Sequence, residues 1–403
     1  RGRLKKGKIV KGVLFLGLTA LVLHQLIQVA AWPSLDEEPP LVVPLTQSPT
    51  DSWHDLDVVM AAMPMEGHEG FRDALEAEGM PPKRELWKEV PELLDALVAV
   101  VGSPPIVSPP RRLVEEGELP SLIPILPLTQ AHILRAWDRH HAGDTLRAVE
   151  DMLLSDRLGK QLSDGSQSLL MSALGHAIQA KALRELQELL ALVPEPSIHA
   201  LVAKRLPKQA AQEGRFREVL GLECGQNEAL LLDPFEPPVD LPKDGMAERL
   251  VRVLYDVDAT VAQHRKMCRA GVEWAGRPPA ERGEPPQTLP EGISEVMTYN
   301  TAGVELLKIL SIERSINIVD SELESRLQRN VLRLLTAARQ YAFAHSGKLP
   351  SRSEVLVPRH LASVPLDPFS GEALEISSGE IETSQGEWVS VTLPASKGHI
   401  QHP

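Results

Sequence analysis

The residues able to do chemistry are few, and their spacing decides what they can do. His68-Glu69 starts a zinc-protease pattern, but the position four after His68 is Arg72, so the second imidazole is missing. His132, His140 and His141 lie eight and nine residues apart, off the spacing that places two rings on one metal, and read as exposed helix histidines. His345-Ser346-Gly347-Lys348 resembles the end of a phosphate loop, yet Ala342 stands where its first glycine belongs and Leu349 where Ser or Thr must be. Gly165-Ser166 opens a helix without a preceding strand, which excludes a nucleophile elbow. Asp51, Asp55, Asp57 and Glu66 could gather a cation but read better as a solvated face. Cys224 and Cys268 are the two cysteines; 44 residues apart, they are either a disulfide or two buried thiols. A bridge would contribute roughly 4 kcal/mol through loop entropy, provided the compartment is oxidising. No catalytic residue, cofactor or metal ion is expected from these patterns.

What must carry these residues begins with an anchor. Arg1, Arg3, Lys5, Lys6, Lys8 and Lys11 form a basic cluster, and the 21 residues from Gly12 to Trp32 bear no formal charge. As a helix that stretch spans roughly 30 Å, the hydrocarbon thickness of a bilayer. Basic flanks stay on the cytoplasmic side, so residues 1–32 read as a stub and single transmembrane anchor with the bulk periplasmic. Its length favours an uncleaved anchor over a signal peptide or a buried soluble helix. Removing the six cations from the 42 Lys and Arg leaves 36 against 55 Asp and Glu, a formal charge of −19 on the exported part. That excludes nucleic acid as a partner.

Thirty-four prolines and scarce aromatics (4%) set the organisation: stacked helices rather than a β-sandwich. Residues 33–52 read as a Pro-rich tether, and 53–127 as short helices (53–63, 67–78, 91–101) followed by a second Pro-rich stretch. The 128–270 segment is a helical domain, with helices expected at 132–140, 145–154, 166–192, 197–213, 216–222 and 246–269. Ala142-Gly143, Ala180-Lys181 and Glu213-Gly214 echo one another at roughly 34–38 residues, the period of helical hairpins. This similarity to tetratricopeptide-type arrays competes with an irregular bundle. A linker, 271–292, leads to an α+β module at 293–403. There Asn300 caps one helix, and Ser321 with Glu324 forms a capping box opening a long second one. Gly347 should stop that helix and Pro350 prevent its continuation. Alternation through Leu374, Ile376, Ile381, Trp388, Val389 and Val391, with Gly379 and Gly386 at turns, predicts a small antiparallel sheet. The fold class is therefore mainly α, closed by a long helix and a small sheet.

The order Tyr341, Gly347, Leu349-Pro350, Leu356-Val357-Pro358, Val364-Pro365 and Asp367-Pro368-Phe369-Ser370-Gly371 resembles the globular tail of the major pseudopilins of type II secretion. It is also similar to the C-terminal regions of membrane-anchored bacterial envelope proteins. The likeness covers about 70 residues, under a fifth of the chain. It implies a shared small fold rather than a filament subunit. Gly7 is not followed by the acidic residue a prepilin carries, and nearly 290 residues separate the apolar segment from the tail helix. The calcium-binding acidic loop of that family is not recognisable after Gly371, and Asp367 reads as a turn former. The leading expectation is a periplasmic scaffolding or protein-binding subunit of a bacterial envelope complex, without catalysis. Its partners would be other envelope or membrane proteins, and no small-molecule ligand is expected. An accessory part of a secretion or pilus-like machine is the alternative; an envelope hydrolase comes last.

Overall fold

The computed structural model describes residues 51–62, 88, 90–102, 106–107, 125–206, 215–232, 256–286 and 316–393. Among these the protein is mainly helical, with nine α-helices and one three-stranded antiparallel sheet. The helices are α1 Asp51–Ala61, α2 Pro91–Val101, α3 Ile125–His141, α4 Thr145–Asp164, α5 Leu169–Leu192, α6 Pro196–Arg205, α7 Arg215–Leu232, α8 Val257–Ala275 and α9 Ile316–Ala344. The strands are β1 Ile376–Ser377, β2 Glu380–Glu382 and β3 Trp388–Ser390. The expected anchor between Gly12 and Trp32, the tether as far as residue 50, and the helices at 67–78 and after Asn300 lie outside the described residues; the tether's last two positions, Asp51 and Ser52, are already helical in α1. Among the described residues no helix is long and apolar enough to cross a membrane.

The chain divides into two compact units. The larger holds Pro44–Glu223, Ala275–Glu284 and Ser315–Pro403; the other holds Arg1–Val43, Cys224–Trp274 and Pro285–Arg314. In the larger unit α4, α5 and α9 form the framework. Asp144 caps α4 by accepting from Arg147 N, and Ser168 caps α5 by accepting from Met171 N, each relieving one of the orphan amides of a first turn. Gly159 and Gly175 lie where α4 crosses α5: a Cβ on Gly159 would stand 2.5 Å from the Gly175 carbonyl oxygen. Only two glycines allow that approach. One core cluster gathers Leu183, Leu186 and Leu190 of α5, Leu327, Val331 and Leu335 of α9, and Ile376, Ile381 and Val391 of the sheet region. A second gathers Trp53, Leu56, Leu94, Leu97, Leu128, Leu158 and Ile178. Each such leucine stabilises the fold by about 1.5–3 kcal/mol relative to exposure.

The C-terminal part follows its turn chemistry. Gly347 (φ 85°) takes the left-handed position after α9, and its N–H donates to the Ala342 carbonyl at 2.8 Å. Ser353 Oγ then donates to Leu374 O at 2.8 Å and accepts from Ile376 N at 3.0 Å, pinning the turn to the start of the sheet. Strand order is β1-β2-β3, with Ile376 opposite Ile381 and Ile381 opposite Val389. Ile381 is buried between exposed Glu380 and Glu382, so one face of β2 joins the core. Arg339, 1% exposed, donates to the carbonyls of Leu190, Ser390 and Thr392, tying α5 to the sheet's outer edge through α9.

Several boundaries differ from expectation. The 145–154 helix runs on to Asp164, and the 216–222 helix to Leu232. The third helix begins at Ile125, inside the supposed Pro-rich stretch, because Pro127 falls in the first turn, where its missing N–H costs nothing. Helix α9 starts at Ile316, five residues before Ser321. The expected capping-box partner Glu324 is mid-helix and instead accepts from Arg184 at 2.6 Å and Gln328 at 2.7 Å. Helix α8 continues through Ala275, into the expected linker.

Candidate functional site

A cavity of about 630 Å³ opens to solvent on the larger unit, and α9 builds its floor. Arg326, Asn330, Arg333 and Ala337 stand at intervals of four, three and four residues, one stripe of a helix. Leu206 at the end of α6, Pro278 and Pro279 form the apolar wall, and the loop from His360 to Gly371 closes the other side. The loop is held in shape by Asp367. Its carboxylate accepts from Phe369 N at 2.8 Å, Ser370 N at 3.4 Å and Ser384 N at 2.9 Å, which is the turn-forming role its neighbour Pro368 and Gly371 (φ 75°) require. Asn330 Nδ2 donates to Leu366 O at 2.7 Å and so fastens the loop to α9.

The electrostatics of this cavity are unbalanced. Arg333 is half-buried and its guanidinium makes no hydrogen bond or ion pair among the described residues. Burial, and then the charge of Arg329, push its pKa below the usual guanidinium range. Arg329 itself is spent on Asp156 and Gln179, the latter at 2.7 Å. Arg326 pairs with Glu322 at 3.9 Å. Asp367, the carboxylate at the wall, has its oxygens committed to three amides. Asn330 Oδ1 and His360 Nε2 are buried without a hydrogen-bond partner among the described residues. Such groups cost about 1–3 kcal/mol each unless water or a ligand reaches them.

Two further clusters carry residues of catalytic type. His132, expected to be exposed, is fully buried, because it lies on the face of α3 that packs on α4. Its Nδ1 lies 2.9 Å from Ser155 Oγ and its Nε2 3.7 Å from Asp151, which accepts from Arg139 at 2.6 Å. Serine, histidine and aspartate thus meet in one place, but Ser155 is 1% exposed. A substrate carbonyl has no route to its oxygen, so the geometry of a nucleophile is present without access. Burial, reinforced by Arg135 and Arg139, lowers His132 to about 3 and keeps it neutral. Burial also raises the Asp151 carboxyl, outweighing the same two guanidiniums. The group joins α3 to α4 as a polar interior. His140 meets Thr145 Oγ1 at 3.0 Å and His141 the Trp137 carbonyl at 2.6 Å, and both are helix-end contacts.

In the other unit, Cys224 of α7 and Cys268 of α8 are disulfide-bonded, with Cα atoms 5.9 Å apart. His264, one turn before Cys268, donates from Nε2 to the Cys224 carbonyl at 3.0 Å. The two sulfurs and a nitrogen of His264 lie within 4.8 Å of one another and all three residues are buried. Reduced to thiolates they would offer three ligands of the kind zinc takes; joined as a disulfide, the sulfurs have no thiolate to give. Glu228 and Arg265 pair beside them at 2.7 Å.

The sequence patterns singled out Asp367, Pro368, Gly371, Gly347 and the cysteines, and these take the turn and cross-link positions just described. They overlooked Arg326, Asn330, Arg333 and His360, whose stripe and loop read as solvated polar residues. The His264/Cys268 spacing of four was legible, but nothing in it points to Cys224. Gly165 and Ser166 mark a tight crossing instead of an elbow, since a Cβ at Gly165 would collide with the Ile106 carbonyl oxygen at 1.7 Å. No protein-family model, no curated protein and no solved structure matches this chain.

Proposed function

We propose that the chain is a membrane-anchored binding subunit of a bacterial envelope complex: an N-terminal helix from Gly12 to Trp32 holds a helical body in the periplasm, and the body presents a recognition surface to another envelope protein. The observation that carries this reading is the cavity over α9, which collects a cation, apolar walls and unsatisfied polar atoms on a rigid support. The support is rigid because α9 is fixed to α5 by Arg339 and by Gln187, which donates to the Gln328 side chain at 2.7 Å and its carbonyl at 3.1 Å. Two features add to it. The serine–histidine–aspartate group is closed to substrate, which favours binding over hydrolysis. The uncharged segment with its basic flank supplies an anchor. Successive helices packed side by side from α3 to α5, with α6 lying on α4 and α9, are compatible with a helical-hairpin array, an architecture that works by binding other proteins.

A second reading, an accessory part of a type II secretion or pilus-like machine, draws on the tail: a long helix, the Asp367–Gly371 turn and a three-stranded sheet follow in the order seen in major pseudopilins. Protease added to intact spheroplasts tests the topology both readings share. The body should be digested while the protein resists extraction with carbonate; a protected body, or release by carbonate, contradicts them.

A further inference from the structure

The cavity over α9 has the chemistry of a peptide site. Its cation, Arg333, has no carboxylate among the described residues, in a chain whose formal charge is −13. A half-buried guanidinium left without a counter-ion is costly, and a carboxylate brought to it regains a charge-assisted, two-pronged pair. The cavity has an apolar wall of Leu206, Pro278 and Pro279, and Leu361 adds to the apolar lining from the loop. Leu366, 53% exposed, sits at the mouth. Ala362 and Ser363 line the same cavity, and their backbone groups make no main-chain hydrogen bond among the described residues. Main-chain groups, a cation and an apolar wall side by side are what an extended polypeptide needs. A small organic acid is better served by an enclosed pocket that buries most of its surface, and this one opens to solvent.

We propose that this cavity docks a peptide segment of a partner protein, one that carries an acidic side chain flanked by apolar residues, with the carboxylate paired to Arg333 and the apolar flank against Leu206 and the prolines. It rests on the reading of the chain as a binding subunit and names the chemistry of what is bound. Arg326 lies two turns before Arg333 on the same stripe and adds to the positive potential.

The test uses the full chain in mild detergent and two pools of capped heptapeptides. Flanks are randomised over Leu, Val, Ile, Phe and Pro; one pool has Glu at its centre and the other Gln. The Glu pool should bind about tenfold better, the value of one charge-assisted pair. Arg333→Gln should abolish that preference and Arg333→Lys retain part of it. Leu366→Asp, which puts a carboxylate at the mouth on an exposed position, should abolish it without touching the interior, so the outcome does not depend on how Arg333→Gln folds. Equal binding of the two pools overturns the proposal, as does an undiminished preference in Arg333→Gln and Leu366→Asp. So does saturable binding of free octanoate, lost in Arg333→Gln, when neither pool is preferred, because the site then serves a small anion. A stoichiometric envelope complex that survives Arg333→Gln would keep the binding-subunit reading and remove the cavity from it. Absence of any complex, with the Glu preference intact, would do the reverse.

Discussion

Replacing Gly159 with alanine adds one methyl group at the crossing of α4 and α5, and the structure says what it meets. The new Cβ would lie 2.5 Å from Gly175 O and 2.8 Å from both Gln179 N and Gln179 Cγ. Two of those three atoms are backbone, so relief comes only from moving the helices apart. Alanine improves helix propensity by about 1 kcal/mol over glycine, but overpacking costs about 1–3 kcal/mol. Moving α5 also disturbs Gln179, which donates to Ser163 at 3.1 Å and accepts from Arg329 at 2.7 Å. The expected sum is a loss of about 1–3 kcal/mol. Gly221 supplies the opposite case. It is helical too, yet a Cβ there meets nothing within 4 Å, so Gly221→Ala should gain up to about 1 kcal/mol from propensity alone. Urea unfolding followed by circular dichroism reads both, with the slope held constant. If Gly159→Ala raises the midpoint as Gly221→Ala does, α4 and α5 do not cross at these glycines.

Acid should destabilise the larger unit through its buried histidines. Burial lowers His132 to about 3 and His176 and His199 to about 4, from 6.5. The unfolded chain takes up these protons near pH 6.5 while the folded one refuses them, so stability holds above that pH and falls as pH drops towards 4, by roughly 3 kcal/mol per histidine at the lower end. A urea midpoint unchanged between pH 7 and 4 would contradict it. Replacing both Cys224 and Cys268 by serine should cost about 4 kcal/mol through the loop the bridge closes, visible as a lower urea midpoint; an unchanged midpoint argues that no bridge forms. Arg339→Leu should cost about 3–5 kcal/mol, because three carbonyls lose a charged donor. Amide exchange at Ile381 and Val391 should then accelerate, and undisturbed protection would show that Arg339 does not hold the sheet.

Where the chain was legible, local rules sufficed. Pro91–Val101 has its expected ends, Gly347, Gly379 and Gly386 all take positive φ, and the strands fall where alternation placed them. Helix α4 defeated the same reasoning because its interior is polar. Ser155, Asp156 and Ser163 look like a break after Leu154, yet they point inwards to His132, Arg329 and Gln179. Hydrophobic periodicity is blind to a helix that buries hydroxyls and carboxylates against arginines. The cavity was hidden for a related reason. Arg326, Asn330 and Arg333 on one helical stripe read as a solvated face; only the return of the loop at His360–Gly371, through Asn330 and Asp367, buries Asn330 and half-buries the two arginines. Contacts between residues 36 apart in sequence leave no local trace.

The claim that this is a binding subunit is tested most directly by its state in the membrane. The full chain extracted in mild detergent and sized by light scattering should elute as a stoichiometric complex with another envelope protein, one that the Leu366→Asp variant fails to form. A solitary monomer from native membranes, at native abundance, would contradict the account.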